Sequence, residues 1–368
     1  MSRVPIPPVP IPPVPVPPVP IPPVPPTRPG PVARLRAGAA DLWGRYRVHR
    51  SGVVGLALLL LIVLVALLTP WLVDPDHLGA ANAPGGRLEP PSREFWLGTD
   101  QIGRPVLAMI LWGTRVSLLV GLTAAALAVL LGTLVGLLAG HFGGRTSWLL
   151  MRLTDWFVVL PGLVLAIALV IAMGPGTGTV ILAIALTSWA GTARLVRAQT
   201  LAVEARPHLE RARALGAGRI RRMTRHVLPH LMPLVLAAAG LQVSGAILAE
   251  AALSFLGLGD PTSFSWGTTL ERAFRAGAVT AGAWWYLLPP GLAILLVVLA
   301  FTLCARTLEV VLDPHAAVPA RSGPGGVPAM VPAGVPAPGA GVPPGAVAPG
   351  TGNPDPRVPP TGEEGPRP

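Results

Sequence analysis

Between Arg211 and Arg225 the chain places six arginines, with Glu210 just ahead of them, Gly216 and Gly218 among them and Leu228-Pro229 just after. No nucleophile, base and orienting acid are spaced for catalysis here. The segment offers fixed positive charge, one carboxylate and small residues. Three kinds of chemistry use such a set. An interfacial helix can rest on anionic headgroups, a charged helix can sense voltage, or a short amphipathic helix can dock in a partner's groove. The arginines lack the regular three-residue spacing of a sensor, so headgroup contact and docking remain.

The other reactive residues are few. Cys304 is the only cysteine, so no internal disulfide forms, and no Cys/His spacing suggests a metal site. All 28 basic residues are arginine; without lysine a GxxxxGK[ST] phosphate loop is excluded. HExxH and GxSxG are absent. Asp155 and Glu250 stand out because both fall in or beside apolar runs. Asp155 is expected to pair with Arg152 one helical turn earlier. A carboxylate in lipid needs a reason, and Glu250 is expected either to line a pathway as an outer gate or to hold the external loop.

These residues are positioned by an apolar chain. Hydrophobic residues make up 51% and charged residues 12%, with a mean hydropathy of +0.60. Soluble domains carry about 25% charged residues, so the composition belongs to a membrane protein. A helix needs about 20 apolar residues to cross the hydrocarbon core. Six runs qualify, at 53–73, 116–140, 148–173, 179–199, 227–250 and 285–308. In lipid the backbone must satisfy its own hydrogen bonds, which makes each run a helix. Pro161-Gly162 is expected to bend the third run. Pro207 is expected to open a short helix that Gly216 and Gly218 end. Ile220, Met223 and Val227 would continue an apolar stripe, leaving Arg221, Arg222 and Arg225 outward. Trp284, Trp285 and Tyr286 read as an interfacial aromatic belt.

Arginine also gives orientation. Seven arginines precede the first run and nine lie from Arg194, at the end of the fourth, to Arg225, just before the fifth, while only six fall on the opposite side. The latter are balanced by acids such as Asp74, Asp76, Glu89, Glu94 and Asp100. The positive-inside rule places both termini and the 201–226 loop in the cytoplasm. The net charge of +11 is thereby a topology and lipid signal, and nucleic acid is not an expected partner.

The expected organisation begins with a proline-rich tail over 1–33, containing a five-residue repeat from Val4 to Pro26. That density of proline enforces solvated polyproline II, and no apolar stretch of signal-peptide type follows the first charge. A cytoplasmic segment at 34–52, a first span at 53–73 and an external loop at 74–115 follow. The core occupies 116–313, and a Pro/Gly/Ala-rich tail, 314–368, buries too little to order itself. The fold class is an all-α membrane protein: six transmembrane helices, both termini cytoplasmic, with disordered tails.

The sequence resembles the permease subunit of an ATP-binding-cassette importer of the dipeptide, oligopeptide and nickel type. The family loop has the form E-A-A, three residues, G, nine residues, an apolar position, one residue, L-P. Here it reads Glu210-Arg211-Ala212, then Gly216, then Leu228-Pro229. Arg211 replaces the first alanine and His226 takes a usually apolar place. The stretch from Phe95 to Leu122 resembles the family's external entry with its GTDxxGRD-type motif, Pro105 standing for the acid. Met151 to Val170, "AEAALSFLGLG" from Ala249 to Gly259, and Trp284 to Leu303 resemble later segments.

The resemblance implies a plasma-membrane, multi-pass transport subunit rather than an enzyme, binding no cofactor or metal itself. ATP and Mg would be used by two partner ATPase subunits. These would grip the loop at Glu210, Ala212, Leu215, Gly216, Leu228 and Pro229. It further implies a second permease, as a heterodimer, an extracytoplasmic substrate-binding protein facing 254–275, and di- or oligopeptide cargo. Nickel or another solute is the alternative within the family. An ion-coupled secondary carrier would call for paired intramembrane charges and an internal repeat, and neither is visible.

Overall fold

A computed structural model describes residues 41–312. The expected tails at 1–33 and 314–368, and the first part of the 34–52 segment, lie outside the described residues. Within them every regular element is a helix, and the only β pairing is an isolated bridge between Thr99 and Pro105.

A helical turn over 41–46 precedes α1, Arg50–Leu72. Helix α2, Val106–Phe142, is far longer than the expected 116–140 run and begins inside the expected external loop. Pro105 starts it: a proline at this place needs no hydrogen-bond partner for its nitrogen, and its φ of −64° suits a helix entry. Helices α3, Gly144–Val159, and α4, Gly162–Met173, meet at Leu160-Pro161 with a 92° bend. Pro161 cannot continue the first hydrogen-bond ladder, so the run breaks there rather than curving. Helix α5 is Thr177–Glu204, α6 Pro207–Ala214 and α7 Arg219–Arg222. A π turn, Met223–Val227, leads into α8, Leu228–Phe255. Helix α9, Trp266–Arg275, and α10, Trp284–Leu312, complete the order. Five of these helices are long and apolar enough to cross a membrane, or six spans if the bent pair α3–α4 counts as one.

Close approach between helices comes from small residues, the usual device where lipid removes the hydrophobic drive. Gly132, Gly136 and Gly140 form a four-residue repeat on α2 that packs on α5. A Cβ at Gly132 would stand 2.6 Å from the Trp189 carbonyl, and one at Gly140 2.6 Å from Thr200 Cβ; at Gly136 it would collide with the Ala193 carbonyl. Residue numbers rise together along both helices, so α2 and α5 run parallel. Other pairs run antiparallel: Gly52 and Gly55 of α1 face Thr307 and Leu303 of α10, and Gly121 of α2 faces Ile247 of α8. Ser244 of α8 bonds to the Val298 carbonyl of α10 at 3.3 Å.

The principal buried cluster joins α2, α4, α5, α8 and α10 through residues including Ala124, Val170, Ile184, Ile247 and Val297. Helix α1 stands at the margin, with Leu60, Leu61, Leu67 and Trp71 all exposed as a lipid-facing surface would be.

Candidate functional site

The segment from Pro207 to Pro229 is a helix, a turn, a second short helix and a π turn. Pro207 is the first residue of α6, where its missing donor costs nothing. Helix α6 ends at Ala214, and Gly216 follows with φ +79°. No atom lies within 4 Å of where a Gly216 Cβ would sit. The glycine is therefore dictated by its left-handed backbone and not by crowding. Gly218 has ordinary extended geometry and caps α7.

One side of this element is anchored. Leu209 is 2% exposed and joins Leu137, Val196, Val203, Val227 and Leu231 in a cluster at the ends of α2, α5 and α8. The other side is open: Leu215 is 88% exposed and Ile220 67% exposed. Arg211, Arg219, Arg221 and Arg225 are exposed around them. Glu210 and Ala212 lie on α6, and their side-chain placement is outside the described residues. Leu228 is half-buried and Pro229 exposed in the first turn of α8.

Two expectations for the arginine stretch fail. Arg222 is 6% exposed rather than outward, and Ile220 leaves the apolar stripe for the surface. The π turn explains both: one added residue in a helical turn rotates what precedes it relative to α8. Asp155 also departs from expectation. It pairs at 2.7 Å with Arg194 of α5, while Arg152 lies over the Trp148 ring, 5.8 Å from its centroid. Antiparallel packing of α5 beside α3, with Ser147, Asp155 and Phe157 meeting Arg197, Arg194 and Trp189 in turn, supplies a guanidinium that the local sequence does not advertise. These residues edge a cleft of ≈ 660 Å³ with Ser147 and Arg197.

At the opposite end, the 99–105 stretch is a tightly bonded corner. The Asp100 carboxylate is fully buried and accepts from the Ile102 and Arg104 amides at 2.9 Å and from Arg104 Nε at 2.7 Å. Arg104 and Arg272 both stack on Phe264, at 5.2 and 4.6 Å from its centroid. Burial, with repulsion from Arg104 second, pulls the Arg272 guanidinium below the ordinary arginine value. The indole of Trp285 donates to the Thr99 carbonyl at 3.4 Å, and Trp285 is buried while Trp284 is exposed. Only part of the aromatic trio therefore offers itself as a belt.

Glu250 is 2% exposed near the end of α8. It accepts from Ser254 Oγ at 2.8 Å and from Ser117 Oγ of α2 at 3.2 Å, and Ser117 Oγ accepts from the Trp266 amide at 3.2 Å. Helix α9 starts with a reciprocal capping box between Ser265 and Thr268. Gly267 lets it sit on α8: a Cβ there would lie 2.6 Å from the Ala251 carbonyl. Nearby, Asp260 reaches Thr177 of α5 at 3.1 Å. Hydrogen bonds from the Thr262 side chain and amide hold its carboxyl below the usual carboxylate range. Among the described residues no three His, Cys, Asp or Glu gather as a metal site.

Two features went unread in the sequence. The Gly132-Gly136-Gly140 spacing was there to find, as small residues at four-residue steps in an apolar run. His141 of α2, 2.5 Å from Glu204 of α5, had no local signal, because its partner is 63 residues away.

Comparison with known proteins agrees with this architecture. Residues 132–318 match the binding-protein-dependent transport system inner membrane component family, and residues 39–91 match the N-terminal TM domain of oligopeptide transport permease C. The dipeptide transport system permease protein DppC of Bacillus subtilis is 36% identical over 74% of this chain and 85% of its own length. The di/tripeptide transport system permease protein DppC of Pseudomonas aeruginosa is 39% identical over 74% of this chain and 91% of its own. The oligopeptide transport system permease protein OppC of Bacillus subtilis is 32% identical over 77% and 93%. The chain belongs to the family of binding-protein-dependent transport system inner membrane components, and is a multi-pass permease subunit of the cell membrane.

Proposed function

We propose that this permease moves di- or oligopeptides inward, driven by two ATPase subunits that hydrolyse MgATP and dock on the 201–226 loop. A second, different permease completes the pathway, and an extracytoplasmic binding protein delivers peptide to the 254–275 side. The observation that carries this reading is the two-sided loop. Leu209 roots it among the ends of three long helices, while Leu215 and Ile220 stand exposed within a ring of arginines. Buried apolar anchors at the centre of a charged rim are how protein interfaces obtain affinity. Glu210, Ala212, Gly216, Leu228 and Pro229 form the rest of the docking element by resemblance to the family loop.

Six crossings with both termini in the cytoplasm fit the geometry. Because α2 and α5 run parallel, the chain between them must return across the membrane, and α3–α4 is the only segment available. At about 1.5 Å per residue they reach about 24 and 18 Å. A pair bent at a right angle, each arm tilted about 45°, spans the ~30 Å core. On this reading the first span is 53–73, the external loop 74–115 and the core 116–313. The open face of α3–α4, with Trp156 at 74% and Val159 at 80% exposure, is where the second permease packs.

Glu250 is read as the tie that holds α9 against α2 and α8, forming the outer gate's hinge. The peptide assignment follows the relatives' names, since pathway side chains alone do not specify cargo. Replacing Leu215 and Ile220 with aspartate is expected to abolish ATPase co-purification with the membrane-inserted permease. Undiminished co-purification of the double variant would remove the loop from the interface.

A further inference from the structure

Helices α2 and α5 are locked side by side by the glycine repeat, and both finish at the same end. There His141 Nδ1 and Glu204 Oε1 meet at 2.5 Å. The imidazole is fully buried, and its Nε2 has no partner among the described residues. A side chain kept only for packing would be better apolar, because the second nitrogen is a desolvated polar atom with nothing returned for it. The polar partner that histidine gains here is Glu204; its edge-to-face contact with Phe142, centroids 5.2 Å apart, an apolar ring could also make.

Glu204 occupies a particular place. It is the last residue of α5, and Pro207 opens α6 three positions later. The intervening turn is tight, with the Arg206 amide donating to the Val203 carbonyl at 3.1 Å and the Leu209 amide to the Arg206 carbonyl at 2.9 Å. Force applied to α6 reaches the spans through this turn and through Leu209, which packs among the ends of α2, α5 and α8. Gly140 of α2 already meets Thr200 of α5 one helical turn before Glu204. His141 extends that contact to the last residue of α5, where the turn into α6 begins.

We propose that His141 is a positioning residue for transport: by holding Glu204 it joins α2 and α5 to the docking helix α6, so that the two spans move together when the ATPases close. The proposal rests on the reading of the 201–226 loop as the ATPase dock. It assigns the pair a role in transmission that neither residue's own sequence neighbourhood suggests.

The test uses the complete transporter in proteoliposomes, reading peptide moved per ATP hydrolysed, ATPase co-purification and thermal stability together. H141L and E204A are each expected to lower peptide moved per ATP about five-fold or more, with ATPase subunits still bound and thermal stability near that of the parent. The double variant should be no worse than either single one, because the two share one contact. H141Q keeps an amide donor for Glu204 and should retain most of the coupling.

An unchanged ratio in both single variants overturns the proposal. So does additive loss in the double variant, or a fall in uptake that tracks a fall in thermal stability. Failure of the dock reading is distinct: it shows as full ATPase retention when Leu215 and Ile220 are replaced with aspartate, whatever His141 does.

Discussion

Ser117 and Glu250 lie 133 positions apart and meet at 3.2 Å in the interior. Through that contact α2 and α8 share a hydrogen-bond centre with the first amide of α9. Three elements are thus fixed by one carboxylate, two serine hydroxyls and one backbone N–H.

Removing that carboxylate should release α9 without unfolding the spans. E250L leaves both hydroxyls without their acceptor, at a cost of about 1–3 kcal/mol for the buried groups. Limited proteolysis after Phe255 is the readout. Faster cleavage in E250L than in the parent is expected, with E250Q intermediate because its amide oxygen still accepts. Equal cleavage rates in all three would show that Glu250 does not hold α9.

The parallel pair α2–α5 depends on Gly136. A leucine there meets the Ala193 carbonyl and Val196. Overpacking of this kind costs about 1–3 kcal/mol. Thermal denaturation in detergent should show a lower midpoint for G136L than for L130A. Leu130 is 67% exposed and serves as the control.

Gly216 makes a backbone prediction. A left-handed φ costs an ordinary L-residue about 1–2 kcal/mol, and the space around it is open. G216N should therefore retain ATPase binding and uptake, whereas G216V should lose both while the permease stays in the membrane. Equal loss in the two would make side-chain volume, not backbone angle, the requirement.

Asp260 carries a pH prediction. Its folded pKa lies below the ordinary carboxylate value. Its contribution is therefore complete above the unfolded value of about 4 and disappears as pH falls through the lower folded value. T177V should cost about 0.5–1.5 kcal/mol, one hydrogen bond, at neutral pH. D260N should flatten the acid limb of a thermal-stability profile while leaving the limb above neutrality unchanged.

Much of the architecture was legible from composition and arginine placement. Five of the six long apolar runs are long helices, the third being broken at Pro161, and Pro207 and Gly216 act at the positions their backbone chemistry dictates. What local pattern could not show was set across helices. Asp155 has an arginine one turn away yet takes Arg194, because antiparallel packing of α5 on α3 brings that guanidinium to it while Arg152 lies over Trp148. Arg222 reads as surface in any amphipathic plot, and only the π turn buries it. His141 sits near the end of a long apolar helix, and its meaning lies in a residue at the end of another. The start of α2 lies ten residues before the expected run, because Arg115 interrupts an apolar stretch that already begins at Val106.

The central claim is that this permease works only when ATPase subunits act on it from the cytoplasmic side. Peptide uptake into proteoliposomes tests it most directly, comparing the complete complex with MgATP against this chain reconstituted alone under an ion gradient. Uptake by the complex with nucleotide, and none by the chain alone, is the expected result. Accumulation by the chain alone, without nucleotide, would contradict the account.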